Sequence, residues 1–206
     1  MVTLSEHAPT DGTIAGTGAA TRPVAQLTAR LSAYLVDSLV LLGFVLVFVI
    51  IGGAVLLAAS DTGRNDAPDS AYYASMAVFI GGTLLAWSAF NLTLLRLRGQ
   101  TAGMYIIGIR AVAEDGAPLP SRRLFLRWFA LHPLLFHPLL LPVWGILSAL
   151  AVTLTLNRAV LVVSGACVLL CVVSPAVSLA SAALDAQRRT LADRAARALV
   201  VRLEEP

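Results

Sequence analysis

Three side chains near the start of the longest apolar run have types and spacing that bear on chemistry. Arg30, Tyr34 and Asp37 fall at i, i+4 and i+7, which places a cation, a phenol and a carboxylate on one face of a helix. Asp37 lies about 10 Å along the axis from Arg30. That is too far for an undistorted ion pair, so either Tyr34 bridges the two or Arg30 reaches inward. A carboxylate at that depth either takes up a proton or cation inside a bundle, or anchors one helix to another. Spacing alone leaves both roles open.

Other polar residues fall at informative places. Asn91 lies five residues before Arg96, at a depth similar to Asp37 on an antiparallel helix, so its amide is expected to hydrogen-bond that carboxylate. Asp193 follows Thr190 at the spacing of a Thr-x-x-acid cap, starting a short amphipathic helix over 191–199. Arg189, Arg194 and Arg197 are local partners for it. Arg30 belongs to the same surface and is the expected long-range partner. His132 and His137 are five apart, which turns them away from each other on a helix, so packing is the simpler reading. Cys167 and Cys171 share a face, but two thiols do not complete a tetrahedral metal site. Arg122, Arg123 and Arg127 are read as a cluster facing anionic headgroups.

These residues need a membrane to position them. The chain has 206 residues, is 58% hydrophobic and only 13% charged, and its apolar residues come in long blocks. Fifteen Leu, Ile, Phe and Val lie between Leu39 and Ala59, each contributing roughly −0.3 to −0.6 kcal/mol to insertion. An Asp near mid-helix costs about 3 kcal/mol, less when off-centre. The apolar sum wins, and the carboxylate is carried in.

Four spans are expected, at about 31–59, 74–95, 128–156 and 159–184, within a domain covering 28–203. Residues 1–27 read as a disordered tail, since they lack periodicity and a basic start followed by a short apolar stretch. The third span contains Pro133, Pro138 and Pro142, the spacing of a kinked or broken helix. Every basic residue apart from histidine is Arg, a hint of a high-GC bacterium. Thirteen of the fifteen Arg fall in the tail, the middle loop and the C-terminal segment, which places both termini in the cytoplasm of a plasma-membrane protein. That distribution also argues against nucleic-acid binding.

The middle loop has its own organisation. Alternation over 104–113 predicts a short strand, and Glu114-Asp115-Gly116 a turn. Ser121 is expected to cap an amphipathic helix with Leu124, Phe125 and Trp128 on its apolar face. A second strand over 199–203 is placed to pair with the first. The four glycines Gly52, Gly53, Gly81 and Gly82 are expected where adjacent spans approach closely.

Three stretches together resemble the RDD family of small membrane proteins, named for one arginine and two aspartates. The first is Arg30-Leu-Ser-Ala-Tyr-Leu-Val-Asp37, which carries the Arg and the first Asp. The second is Gly99-Gln-Thr-Ala-Gly103, similar to the family's Gly-x-Thr-x-Gly loop, followed by Ile107-Gly-Ile-Arg-Ala-Val112 and Asp115-Gly116. The third is Arg189-Thr-Leu-Ala-Asp193 with Val200-Val201, which resembles the segment holding the second Asp. Met104 stands where relatives commonly have Lys, Ala192 where they often have His, and Arg197-Ala198 where Gly-Thr is usual. The resemblance implies that Gly99, Thr101 and Gly103 form a functional loop. It also implies transport as the usual proposal for the family, with sodium/proton antiport claimed for some members.

The expectation is an all-α membrane protein of four transmembrane helices with a small cytoplasmic layer of strands and amphipathic helix. Its partners are the lipid bilayer and either further copies of itself or another membrane protein. Two functions follow. In one, the chain is a transporter or transporter subunit that couples ions or protons through Asp37, with Tyr34 and Asn91 beside it. In the other, it is a non-transporting assembly or accessory protein in which Arg30, Asp37 and Asp193 fix helix packing. Catalysis is not expected, because no nucleophile–base set, phosphate-cradling loop or metal-ligand cluster is recognisable. No cofactor is implied.

Overall fold

A computed structural model describes residues 13–14 and 22–203, so most of the expected tail lies outside the described residues. Where it is described, β1 (Thr13–Ile14) pairs with β2 (Arg22–Pro23). The first span, α1, runs Leu27–Ala59. Its 33 residues extend about 50 Å, more than the hydrocarbon needs.

The second crossing is built in pieces: α2 (Asp69–Ala77), a π-helical turn (Val78–Gly82) and α3 (Thr83–Arg98). The glycines of α1 and of the second crossing take unequal parts in the contact between them. Gly52 accepts a hydrogen bond from Ser75 at 2.9 Å, and Gly82 lies against the Phe48 ring, while Gly53 and Gly81 have open space beside them.

After α3 the chain turns at Gly99, whose φ of 67° is left-handed. Here the structure corrects the expected strand over 104–113. Its first part is α4 (Ala102–Ile107), and only β3 (Ile109–Ala113) is extended. Thr101 caps α4 by accepting the Met104 N–H, and Gly108 stops it at a φ of 72°. Those two signals bracket fewer than two turns, too short a stretch for alternation to be diagnostic.

Next comes α5 (Ser121–Phe129), which begins after Pro120 without a side-chain cap. Ser121 is therefore its first residue, not its cap. Leu124 and Trp128 are buried as expected, but Phe125 is exposed. The third span is also corrected: it is no continuous helix over 128–156. The helix breaks after Phe129, Leu131 takes a positive φ, and a 3-10 turn at Pro138–Leu140 leads into α6 (Leu141–Thr155). From Pro138 to Thr155 there are 18 residues, about 27 Å, barely a crossing. Asn157 then caps α7 (Arg158–Leu184).

The chain ends in α8 (Leu191–Ala195) and β4 (Ala198–Arg202). Thus the helix expected over 191–199 is shorter, and its last part is strand. β4 pairs antiparallel with β3, Ala111 opposite Val200, and Val24 bridges to Val201 beside them.

Among the described residues, four helices are long and apolar enough to cross a membrane, and large apolar side chains such as Leu39 (70% exposed) and Leu85 (73%) cover their outer surfaces. A surface of that kind belongs in lipid. The chain is an all-α membrane protein with a small two-stranded layer beside the N-terminal end of α1. The core between bundle and layer centres on Trp87 and Trp128, and Trp87 Nε1 donates to the Leu134 carbonyl at 2.9 Å.

Candidate functional site

Asp37 is buried, and both its oxygens accept hydrogen bonds from the turn that follows α3. Thr101 Oγ1 donates to Oδ2 at 2.5 Å, and the Gly103 N–H donates to Oδ1 at 2.8 Å. Thr101 does two things with one hydroxyl, since the same oxygen accepts the Met104 N–H at 3.2 Å. A side chain at position 103 is excluded: a Cβ there would collide with the Ala33 carbonyl and stand 2.9 Å from Asp37 Oδ2. The turn itself is tied down by Ala111 N–H to the Gly99 carbonyl and by Gln100 Nε2 to the Ile109 carbonyl.

The expected Asn91–Asp37 hydrogen bond is absent. Asn91 is buried but donates to the Trp87 carbonyl of its own helix at 3.0 Å. Equal depth did not bring the two together, because α4 folds back and packs along α1, offering a hydroxyl and a backbone N–H first. Tyr34 does not bridge Arg30 to Asp37 either. Its ring lies against His137, with centroids 5.0 Å apart.

Asp193 is fully buried and holds two arginines. Arg30 Nη1 donates to Oδ2 at 2.7 Å, the long-range pair expected from the sequence. Arg127 Nε donates to Oδ1 at 2.7 Å. Thr190 and Asp193 also form a reciprocal capping box at the start of α8. Burial alone would raise this carboxyl, but the charges and hydrogen bonds of Arg127 and Arg30 hold it well below the ordinary carboxylate range.

The structure corrects the expectation that Arg127 joins Arg122 and Arg123 in facing headgroups: Arg127 is buried. A signal for this exists in α5, where Leu124, Arg127 and Trp128 share the i, i+3, i+4 face turned to the core.

The histidines serve the break between α5 and α6. His132 Nδ1 accepts the Leu134 N–H and His137 Nδ1 the Leu139 N–H. His137 Nε2 lies 2.8 Å from Ser38 Oγ, a Ser–His contact of the sort a nucleophile needs. However, the accepting role of Nδ1 puts the proton on Nε2, and Ser38 donates its own proton to the Tyr34 carbonyl. This histidine is therefore placed to give a hydrogen bond to the serine, not to deprotonate it. No group of three or more metal-ligating side chains occurs among the described residues. Cys171 donates to the Cys167 carbonyl.

Asp37, Arg30, Arg127 and Asp193 all border one small cavity of about 90 Å³. The arrangement thus joins two carboxylates, each from a different end of the chain, to the turn and helices of the layer. Among curated proteins and solved structures, none matches this chain. The model of the RDD family matches residues 24–197, a span that takes in Arg30, Asp37, the 99–103 turn and Asp193. The chain belongs to the RDD family.

Proposed function

We propose that this chain is a non-enzymatic, non-transporting accessory or assembly protein of the plasma membrane, whose arginine and aspartate residues fix one arrangement of helices. The observation that supports this most directly is the closure around Asp37: both oxygens are engaged, and the residue is 2% exposed. A carboxylate held in this way anchors α4 to α1. Asp193 does the same for α5, α8 and α1 through Arg127 and Arg30. Both termini lie on the cytoplasmic side in this reading, where most Arg fall.

Ion or proton coupling through Asp37 is the second reading, favoured by the cavity that Asp37 shares with Arg30 and Arg127. Proteoliposomes separate the two. The accessory reading expects no proton or sodium flux from the wild type, and a lower melting temperature for Asp37→Asn. Flux that Asp37→Asn abolishes while melting stays unchanged would overturn it.

A further inference from the structure

Both sides of α5 carry large apolar side chains. Leu124, Arg127 and Trp128 turn inward and are buried. Arg122, Phe125, Leu126 and Phe129 fall at i, i+3, i+4 and i+7, so they share the opposite face. The three apolar side chains of that face are 52%, 50% and 60% exposed, a strip of rings and leucine that gains by leaving water. Arg122 is exposed and Arg123 partly so. Among the described residues neither guanidinium enters an ion pair, since those pairs engage Arg30, Arg127 and Arg189.

The ion cluster fixes where this face lies. Arg127 is bound to the carboxylate that also holds Arg30, in the first turn of α1, so α5 lies level with the end of the first span. Near the same end, α4 presents an exposed Tyr105 with the Arg98 guanidinium 4.6 Å above its ring. Aromatic rings beside arginines are what the boundary between headgroups and hydrocarbon collects. Beyond Phe129 the chain passes through Leu131, itself exposed, and on into α6. The outer face of α5 therefore continues into the surface that faces lipid.

That continuity and the two uncompensated charges choose the occupant. We propose that the outer face of α5 docks on anionic phospholipid of the adjacent leaflet, with Arg122 and Arg123 against the phosphates and Phe125, Leu126 and Phe129 among the acyl chains. Charge stands at the start of the helix and rings towards its end, the same order a leaflet presents from headgroup to hydrocarbon. A folded partner protein would have to cover a strip that runs without a break into lipid. Because Arg127 projects from the other side of the same helix, lipid that seats α5 also steadies the pairing of Arg127 with Asp193. Such a contact serves a transporter and an accessory protein alike.

The test is thermal melting of the full-length protein in nanodiscs of phosphatidylcholine, alone or mixed with phosphatidylglycerol. The mixture should raise the melting temperature by roughly 2–4 °C for each arginine engaged. Arg122→Gln with Arg123→Gln should lose that rise. Arg194→Gln with Arg202→Gln, which removes two exposed charges elsewhere in the layer, should keep it. A second measurement decides the matter if the α5 variant fails to fold: p-benzoylphenylalanine in place of Phe125, irradiated in native membranes, should give a phospholipid adduct by mass. No rise with phosphatidylglycerol, or a rise lost equally in both double variants, overturns the inference. So does a photoadduct with another polypeptide, whether a partner or a second copy, or the absence of a phospholipid adduct.

Discussion

Thr101 Oγ1 sits 2.5 Å from Asp37 Oδ2 while accepting the Met104 N–H, so one hydroxyl both starts a helix and satisfies a buried carboxylate. Thr101→Val keeps the shape and removes both bonds. The unsatisfied acceptor costs about 1–3 kcal/mol and the lost cap about 0.5–2 kcal/mol. A clear drop in melting temperature in detergent is expected, with Thr101→Ser close to wild type.

Gly103→Ala should be worse than Thr101→Val. Its Cβ meets backbone, the Ala33 carbonyl of α1, which has no rotamer to move away. Gly53→Ala and Gly81→Ala are the controls, since open space surrounds both. Comparative thermal melts of the three variants test this, with only Gly103→Ala expected to lose folded protein.

Asp193→Asn leaves Arg30 and Arg127 buried without their counter-charge. Removing one partner from such a cluster costs on the order of 3–5 kcal/mol. Arg30→Met should cost less, because Arg127 still neutralises the carboxylate. Chemical denaturation of the two variants should give that order.

The depressed Asp193 carboxyl also makes a pH prediction. Its folded value lies below the ordinary 3.8, so the unfolded chain binds the proton more readily and stability rises with pH across that window. The contribution is complete above about pH 4 and is lost as pH falls from there through the folded value. Melting measured from pH 6 to pH 2 should show a steep acid limb that Asp193→Asn flattens.

How much of this was legible in the sequence depended on what carried the signal. Long runs of Leu and Val announced the spans, and two opposite charges at the same surface announced Arg30 with Asp193. Asp37 was equally visible as a carboxylate in hydrocarbon, but its partners were not. One is a hydroxyl and the other a backbone N–H, which every residue except proline possesses, so residue type could not single out position 103. Asn91 was the more conspicuous donor and was already engaged within its own helix. The break in the third span was foreshadowed by Pro133 and Pro138. Its exact form depends on His132 and His137 accepting backbone N–H groups, a role no periodicity reveals. Arg127 was hidden among neighbours of the same type.

The separation of Arg30 from Asp193, 163 residues, constrains the order of events during synthesis. Translation delivers the first hydrophobic helix to the bilayer long before the ribosome reaches the anion that will neutralise its arginine. Until then that guanidinium has only water, headgroups or a transient neighbour to face, and the turn carrying Thr101 can reach Asp37 first. Maturation of the fold therefore closes from the middle of the chain outward, with the final latch waiting on the last segments to emerge.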